Sequence, residues 1–365
     1  MHALKAGGVE TVMNRLSRFM AGSGHNVHIL TLSKDDHDLE RAKTIRDHGI
    51  TLHQLNIKHT NPLRYAVIPL ILIYFFMRNR DFDRIIIPGI VNAIMCIPFI
   101  KLLFIKSRII VNAHTAFSAY YETTGKAKRL FFALGRWILP LADVTGNDSQ
   151  GAADDLADHF KLDKVHALYN PVATDDDLAF KAEKNDAPHI WLKDDALTTF
   201  VTCGRLVEMK NNAHMIRVFS RMVASNYKLR LILIGTGPQQ AALEKLTDEL
   251  NIKDFVSFEG FVDDPKLYFY HADYFWLSSK FEGFSMVLGE ALAMGIPCIT
   301  NDCPFGPAEV IDKGKFGLLL PNYNEIGNAK TILEFLQTPI QSKAYYRSRA
   351  QEFLVSKIAQ LYLTI

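Results

Sequence analysis

The sequence predicts an α/β fold in two domains, each a parallel sheet wound with helices on both faces, and three observations predict it. The chain has 365 residues, too many for one ordinary domain and enough for two that each bury a core. Short β-branched runs alternate with amphipathic stretches along its whole length, as strands joined by crossover helices do. One polar stretch, 174–195, carries Asp175-Asp176-Asp177 and few large apolar residues, and reads as a linker.

In the first half, strands are expected at 27–32, 52–57, 84–87, 108–112, 144–146 and 167–168. In the second they are expected at 199–203, 230–234, 256–258, 274–277, 297–300 and 317–319. The first domain then spans 1–172, the linker 173–195 and the second domain 196–345, with 346–365 a C-terminal helix packing back on the first domain. Open α/β sheets bind ligands outside the carboxyl ends of their strands, so two such sheets facing each other are expected to share a cleft. Gly7-Gly8-Val9-Glu10 reads as a strand-to-helix loop, yet residues 1–6 are too short and too weakly apolar for an ordinary strand. The first strand is expected to be short or missing.

Composition narrows the function classes. The apolar fraction of 48% fits a globular protein and argues against disorder. Cys96, Cys203, Cys298 and Cys303 form no Cys-x-x-Cys pair, which argues against a disulfide framework or zinc site. Residues 1–10 lack the apolar core of a signal peptide, so the cytoplasm is the expected compartment. The apolar stretches 65–77 and 85–100 fall short of a membrane span and contain prolines; buried helix and strand are expected there.

The net charge of +2 is unevenly spread: residues 58–136 hold twelve Lys and Arg against three Asp and Glu. This surplus, interleaved with aromatics such as Phe104, Phe131 and Trp137, suits an anionic membrane surface at the inner face of the cytoplasmic membrane, or a lipid-phosphate acceptor. A solvated basic face accounts for it equally well. Nucleic acid is not expected as a partner, because no binding motif accompanies the charge.

The residues best suited to chemistry lie in the second half. Glu282 follows the strand 274–277, and Gly283-Phe284-Ser285 opens a helix to Met294 closed by Gly295, which turns backbone amides toward an anion or sugar hydroxyl. Glu290 stands among Met286, Val287, Leu288, Ala291 and Leu292, where a carboxylate needs a partner; a ribose diol would serve, and an exposed helix face is the competing account. Arg205 and Lys210 follow the strand 199–203 on a loop, placed to hold a diphosphate and stabilise leaving charge. Alone, they read as ordinary surface cations.

Other features are weighed similarly. Gly235-Thr236-Gly237-Pro238 resembles a dinucleotide fingerprint, but its proline makes a tight turn the better reading. Gly260-Phe261-Val262 offers backbone to a flat base, or forms a plain turn. His114, at a strand's carboxyl end, divides evenly between a structural histidine and one that hydrogen-bonds donor or acceptor. Solvated charge is the favoured reading of Asp175-Asp176-Asp177 over magnesium binding. His53 and His59 have no ligand partners at metal spacing, and no metal site is expected.

Together these stretches resemble the retaining nucleotide-sugar glycosyltransferases of family 4, which have two facing Rossmann-like domains, the GT-B fold. The most specific match is Glu-x7-Glu at Glu282 and Glu290, followed by Asp302-Cys303-Pro304-Phe305-Gly306-Pro307-Ala308-Glu309. Gly7-Gly8, His114, Ser149, Asn170-Pro171, Gly204-Arg205-Leu206 with Lys210, and Gly260-Phe261-Val262 extend it along nearly the whole chain.

The resemblance implies that Glu282 and the amides of Gly283, Phe284 and Ser285 hold the donor sugar, and that Glu290 binds ribose. Arg205 and Lys210, helped by Gly7 and Gly8, would take the diphosphate, and Gly260 to Val262 would flank the base, expected to be uracil. It implies a reaction without metal or cofactor, the nucleotide sugar being a substrate. The acceptor would be a glycan or polyprenyl-linked sugar in bacterial surface polysaccharide synthesis. A nucleotide-sugar epimerase and an inactive nucleotide-sugar-binding relic are the alternatives.

Overall fold

A computed structural model describes residues 7–31, 39–55 and 64–365, without the side chains of 39–41 and 64–67. The weak strand sought before Gly7, the ends of the expected strands at 32 and 56–57, Lys58 and His59 lie outside the described residues.

The chain divides into two compact units. Unit 1 comprises Met1–Pro171 and Val355–Ile365, and unit 2 comprises Val172–Leu354. All twelve strands expected from the sequence occur, and all pair in parallel.

In unit 1 they are β1 (His28–Thr31), β2 (Thr51–Gln54), β3 (Arg84–Pro88), β4 (Arg108–Asn112), β5 (Val144–Asn147) and β6 (His166–Ala167). Within the described residues, β1 and β2 pair with each other, and the other four form a sheet of order β3-β4-β5-β6. The apolar stretch at 65–77 falls in the helix Arg64–Arg78 and that at 85–100 in β3 and the helix Ile90–Leu102. Ile94, Ile97, Ile109, Val111, Phe117, Phe132 and Phe160 make the core. No helix among the described residues is long and apolar enough to cross a membrane.

Unit 2 carries β7 (Thr198–Cys203), β8 (Leu229–Ile234), β9 (Val256–Gly260), β10 (Tyr274–Leu277), β11 (Cys298–Asn301) and β12 (Gly317–Leu320) in the order β12-β11-β10-β7-β8-β9. The chain builds outward from β7 to one edge, returns, and builds outward from β10 to the other. β10 and β11 are buried at every residue, because helices cover both faces of a parallel sheet. Phe200, Phe219, Leu231 and Trp276 lie at the centre of this core.

Residues 173–195, read above as the linker, belong to unit 2 in this division. The acidic triplet there is not simply solvated. Asp175, Asp176 and Asp177 form the first turn of the helix Asp175–Ala179, where negative charge meets free amides. Thr174 and Asp177 cap that helix reciprocally, and Asp177 pairs with Lys266 at 2.5 Å. The stretch expected as one helix over 346–365 is two, Lys343–Ala350 and Val355–Thr364. They break where Leu354 turns extended and bridges to Ala173.

The loops after β7, β8 and β9 are tied by backbone. Gly204 N donates to Ile234 O at 2.9 Å, Leu206 N to Thr236 O at 2.9 Å and Gly235 N to Gly260 O at 2.6 Å. Gly235 has φ +129, and a Cβ there would meet Gly204 O at 2.0 Å. The glycines of 235–237 therefore serve close approach of neighbouring loops, in keeping with the turn reading. Gly235→Ala is expected to cost at least about 2 kcal/mol of stability. Urea denaturation checks this against Gly22→Ala, whose Cβ meets nothing within 4 Å and should be neutral.

Candidate functional site

Strand order in unit 2 reverses between β7 and β10, which are neighbours in the sheet. At such a switch point the following loops diverge to opposite faces and leave a crevice beyond the carboxyl ends. The loop after β7 carries Arg205 and Lys210, and that after β10 carries Glu282. Ser278 Oγ donates to the carbonyls of Lys210 and Asn211 at 3.0 and 2.9 Å, and Lys280 N donates to Met209 O at 2.8 Å. These bonds bring Lys210 Nζ to 2.6 Å from Glu282 Oε1, with both side chains mostly buried. Ser279 Oγ donates to the same oxygen at 2.6 Å.

The loop holding Glu282 is strapped from its other side. Glu282 N donates to Pro304 O and Phe305 N donates to Glu282 O, each at 2.7 Å. A Cβ on Gly306 would meet Phe284 Cα at 2.4 Å, so only glycine permits this approach. Phe284 is buried against Phe353 at 5.0 Å between centroids, which fixes the start of the helix Met286–Met294. Ser285, its N-cap, is held at φ 71 with its Oγ buried and unbonded. A non-glycine residue held at positive φ is strained, and it persists only where its surroundings over-determine it. Gly283 is half-buried beside it.

Glu290 lies just over one turn into this helix, half-buried and engaged within the protein. Its charge reaches the end of β7: burial pushes the Cys203 thiol up to about 12, with the Glu290 carboxylate adding and Lys210 opposing. Burial pushes Cys303 to about 12 as well, with Glu282 and Asp302 adding. Arg205 is exposed beside them and lines a narrow pocket with Cys203, Gly204 and Lys210. Gly260, at φ 70, ends β9, and Phe261 beyond it is 67% exposed, with Val262 half-buried.

In unit 1, His114 follows β4 at φ 52. Ala113 N donates to Gly146 O at 2.9 Å, and Asn147 holds Thr115 from both sides, donating to its carbonyl at 2.8 Å and accepting from its amide at 3.2 Å. Both ring nitrogens of His114 are buried without hydrogen-bond partners. Burial lowers its pKa to about 4, opposed in part by the neighbouring Asn170 amide. Asn170 also donates to Asp148 at 3.3 Å. Gly7 N-caps the helix Gly8–Gly22, whose first residue, Gly8, is exposed. His53 has a partner of a kind its spacing did not suggest: its Nε2 lies 3.0 Å from His28 Nδ1.

Two family models divide the sequence between them: Glycosyltransferase Family 4 over residues 6–176 and Glycosyl transferases group 1 over residues 183–353. A Campylobacter jejuni N-acetylgalactosaminyltransferase acting on a diphospho-undecaprenol-linked sugar is 30% identical over 264 residues, covering 70% of this chain and 68% of its own. The chain belongs to the group 1, family 4 glycosyltransferases. The lipopolysaccharide outer core galactosyltransferase WaaB superposes with a TM-score of 0.76 at 20% identity, covering 98% of this chain and 95% of that one. HepE of Anabaena, in complex with UDP and glucose, gives 0.73 at 17% identity over 100% and 96%. The fold of this glycosyltransferase is GT-B, two Rossmann-like units with parallel sheets.

The sequence alone did not point to the residues that tie the loops of this candidate site together. Ser278 and Ser279 follow β10 in a Ser-Ser-Lys run with no motif signal. Tyr323, whose hydroxyl donates to Ser279 O at 2.6 Å, lies 44 positions away. The Lys210–Glu282 pair spans 72 positions and had no local cue.

The His114 environment has a pH consequence. Its folded pKa lies below the unfolded value of about 6.5, so the unfolded chain takes the proton first as pH falls. The contribution of this histidine to stability is whole above about pH 6.5 and is lost as pH falls to about 4. Between pH 7 and pH 5 the wild type is expected to lose about 2 kcal/mol more than His114→Gln, read from urea midpoints.

Proposed function

We propose that this glycosyltransferase moves a sugar from a uridine diphosphate sugar to a glycan or lipid-linked acceptor, keeping the anomeric configuration. The observation that carries the reading is the Glu282–Lys210 pair at the switch point, with Arg205 exposed beside it and Glu290 on the adjoining helix. Glu282 accepts from both Lys210 and Ser279 through Oε1, which leaves Oε2 to accept from a sugar hydroxyl. The amides of Gly283, Phe284 and Ser285 supply donors to other hydroxyls, and Glu290 is assigned to the ribose diol. Gly260, Phe261 and Val262 flank the base.

Arg205 and Lys210 hold the diphosphate. As the acceptor oxygen bonds to the anomeric carbon, the bond from that carbon to the phosphate oxygen breaks, and the acceptor proton ends on the departing diphosphate. Attack and departure share one face, which preserves configuration. The guanidinium and ammonium stabilise the charge that grows on the leaving group, the term that carries most of the rate. These cations and backbone amides take the part a metal plays elsewhere. From unit 1 the proposal assigns Gly7 and Gly8 to the diphosphate and His114 to a hydrogen bond with donor or acceptor.

Names of relatives support the donor and the pathway. HepE is described with UDP and glucose, the Campylobacter jejuni relative acts on a polyprenyl-linked sugar, and an Escherichia coli relative 28% identical over 151 residues is a lipopolysaccharide galactosyltransferase. Bacterial surface polysaccharide synthesis in the cytoplasm is the setting we propose.

Uridine diphosphate at about a hundredfold above its Kd should raise stability by about 2.7 kcal/mol, seen as a higher Tm than with guanosine or adenosine diphosphate. Glu290→Ala or Arg205→Ala should remove that gain. If neither substitution alters nucleotide binding, the assignment of these residues fails.

A further inference from the structure

We propose that the outer stripe of the 126–141 helical segment in unit 1 is a docking surface for a bilayer rich in anionic lipid. The helices Lys126–Ala133 and Gly135–Ile138 and the 3-10 turn Leu139–Leu141 run on through Leu134, itself in helical conformation. Leu130, Leu134, Trp137 and Leu141 recur at intervals of four, three and four residues, the spacing of one helical face. They are 76, 46, 69 and 45% exposed.

This stripe cannot be core in waiting. The opposite face is already committed, with Phe132 and Leu139 buried in the core of unit 1. Gly135 presses so closely on the core that a Cβ there would stand 2.5 Å from the Phe160 ring. The helix is thus fixed with its apolar stripe outward.

The stripe continues onto the neighbouring helix Ile90–Leu102, which packs against the segment and ends in exposed Leu102 and, just beyond, Phe104 at φ 53 and 88% exposure. Between residues 101 and 141 there are seven bases and one acid, Glu122. Four of the seven are lysines, a residue depleted from protein–protein interfaces and favoured beside anionic headgroups. Large apolar side chains flanked by bases on a fixed helix face match an interfacial element that enters the headgroup boundary without crossing the bilayer. This inference does not rest on the identity of the sugar donor.

The test is sedimentation of the full chain with vesicles of phosphatidylcholine alone or with a third phosphatidylglycerol, together with Trp fluorescence. Binding to the anionic vesicles only, weakening in 0.5 M salt, with a blue shift abolished by Trp137→Phe, is the expected result. Leu130→Ser/Leu134→Ser/Trp137→Ser should lose binding, and Lys106→Gln/Lys126→Gln/Arg136→Gln should weaken it on the order of a hundredfold. All these positions are exposed, so circular dichroism should be unchanged. Equal binding to both vesicle types, or undiminished binding by both variants, overturns the proposal. So does a wild-type dimer that the apolar variant turns into a monomer, which would make the stripe a self-association surface.

Discussion

The site in unit 2 depends on the reversal of strand order between β7 and β10. Two hydrogen-bonded strands whose following helices go to opposite faces cannot close over their own carboxyl ends, so their loops must cover that edge. Ser278 ties the two loops together, and Lys210 and Glu282 meet as a result. A buried pair of opposite charges is tolerated here because both partners are further bonded or anchored by backbone, which offsets the cost of leaving water. Glu282 has Ser279 on one side and Pro304 on the other.

Around this pair the glycines follow a single logic of approach. Gly235 lets the loop after β8 lie on Gly204, and Gly306 lets its helix lie on Gly283 and Phe284. Each removes a side chain at the point where two backbones must touch. The strain at Ser285 directly follows Phe284, whose backbone Gly306 approaches, so that contact can help hold a left-handed residue in place.

The strands were legible because buried parallel strands are runs rich in Ile, Leu and Val, as at 231–234 and 109–111. The charged residues of the candidate site were legible because Glu282, Arg205 and Lys210 lie on loops that follow strands, and Glu290 lies among apolar neighbours on the helix Met286–Met294. Their partnerships were not. That Lys210 meets Glu282 is a property of sheet order, which no local pattern encodes. Asp177 was misread for a similar reason: a triplet of acids looks solvated until Thr174 and Lys266 are seen beside it. The burial of His114 was likewise not legible, and Asn170, which opposes its effect, lies 56 positions along the chain.

The Lys210–Glu282 contact also bears on turnover. A carboxylate held 2.6 Å from the ammonium is an intramolecular anion at high effective concentration. If Lys210 holds the diphosphate as proposed, the diphosphate would compete with that carboxylate, on arrival and again after the sugar has gone. On the proposed assignment the protein would carry its own rival for the product: Glu282 would weaken the grip on spent nucleotide, while a sugar on the other carboxylate oxygen would favour the intact donor. Under that proposal, retention of the leaving group and its release would be set by the same 2.6 Å contact.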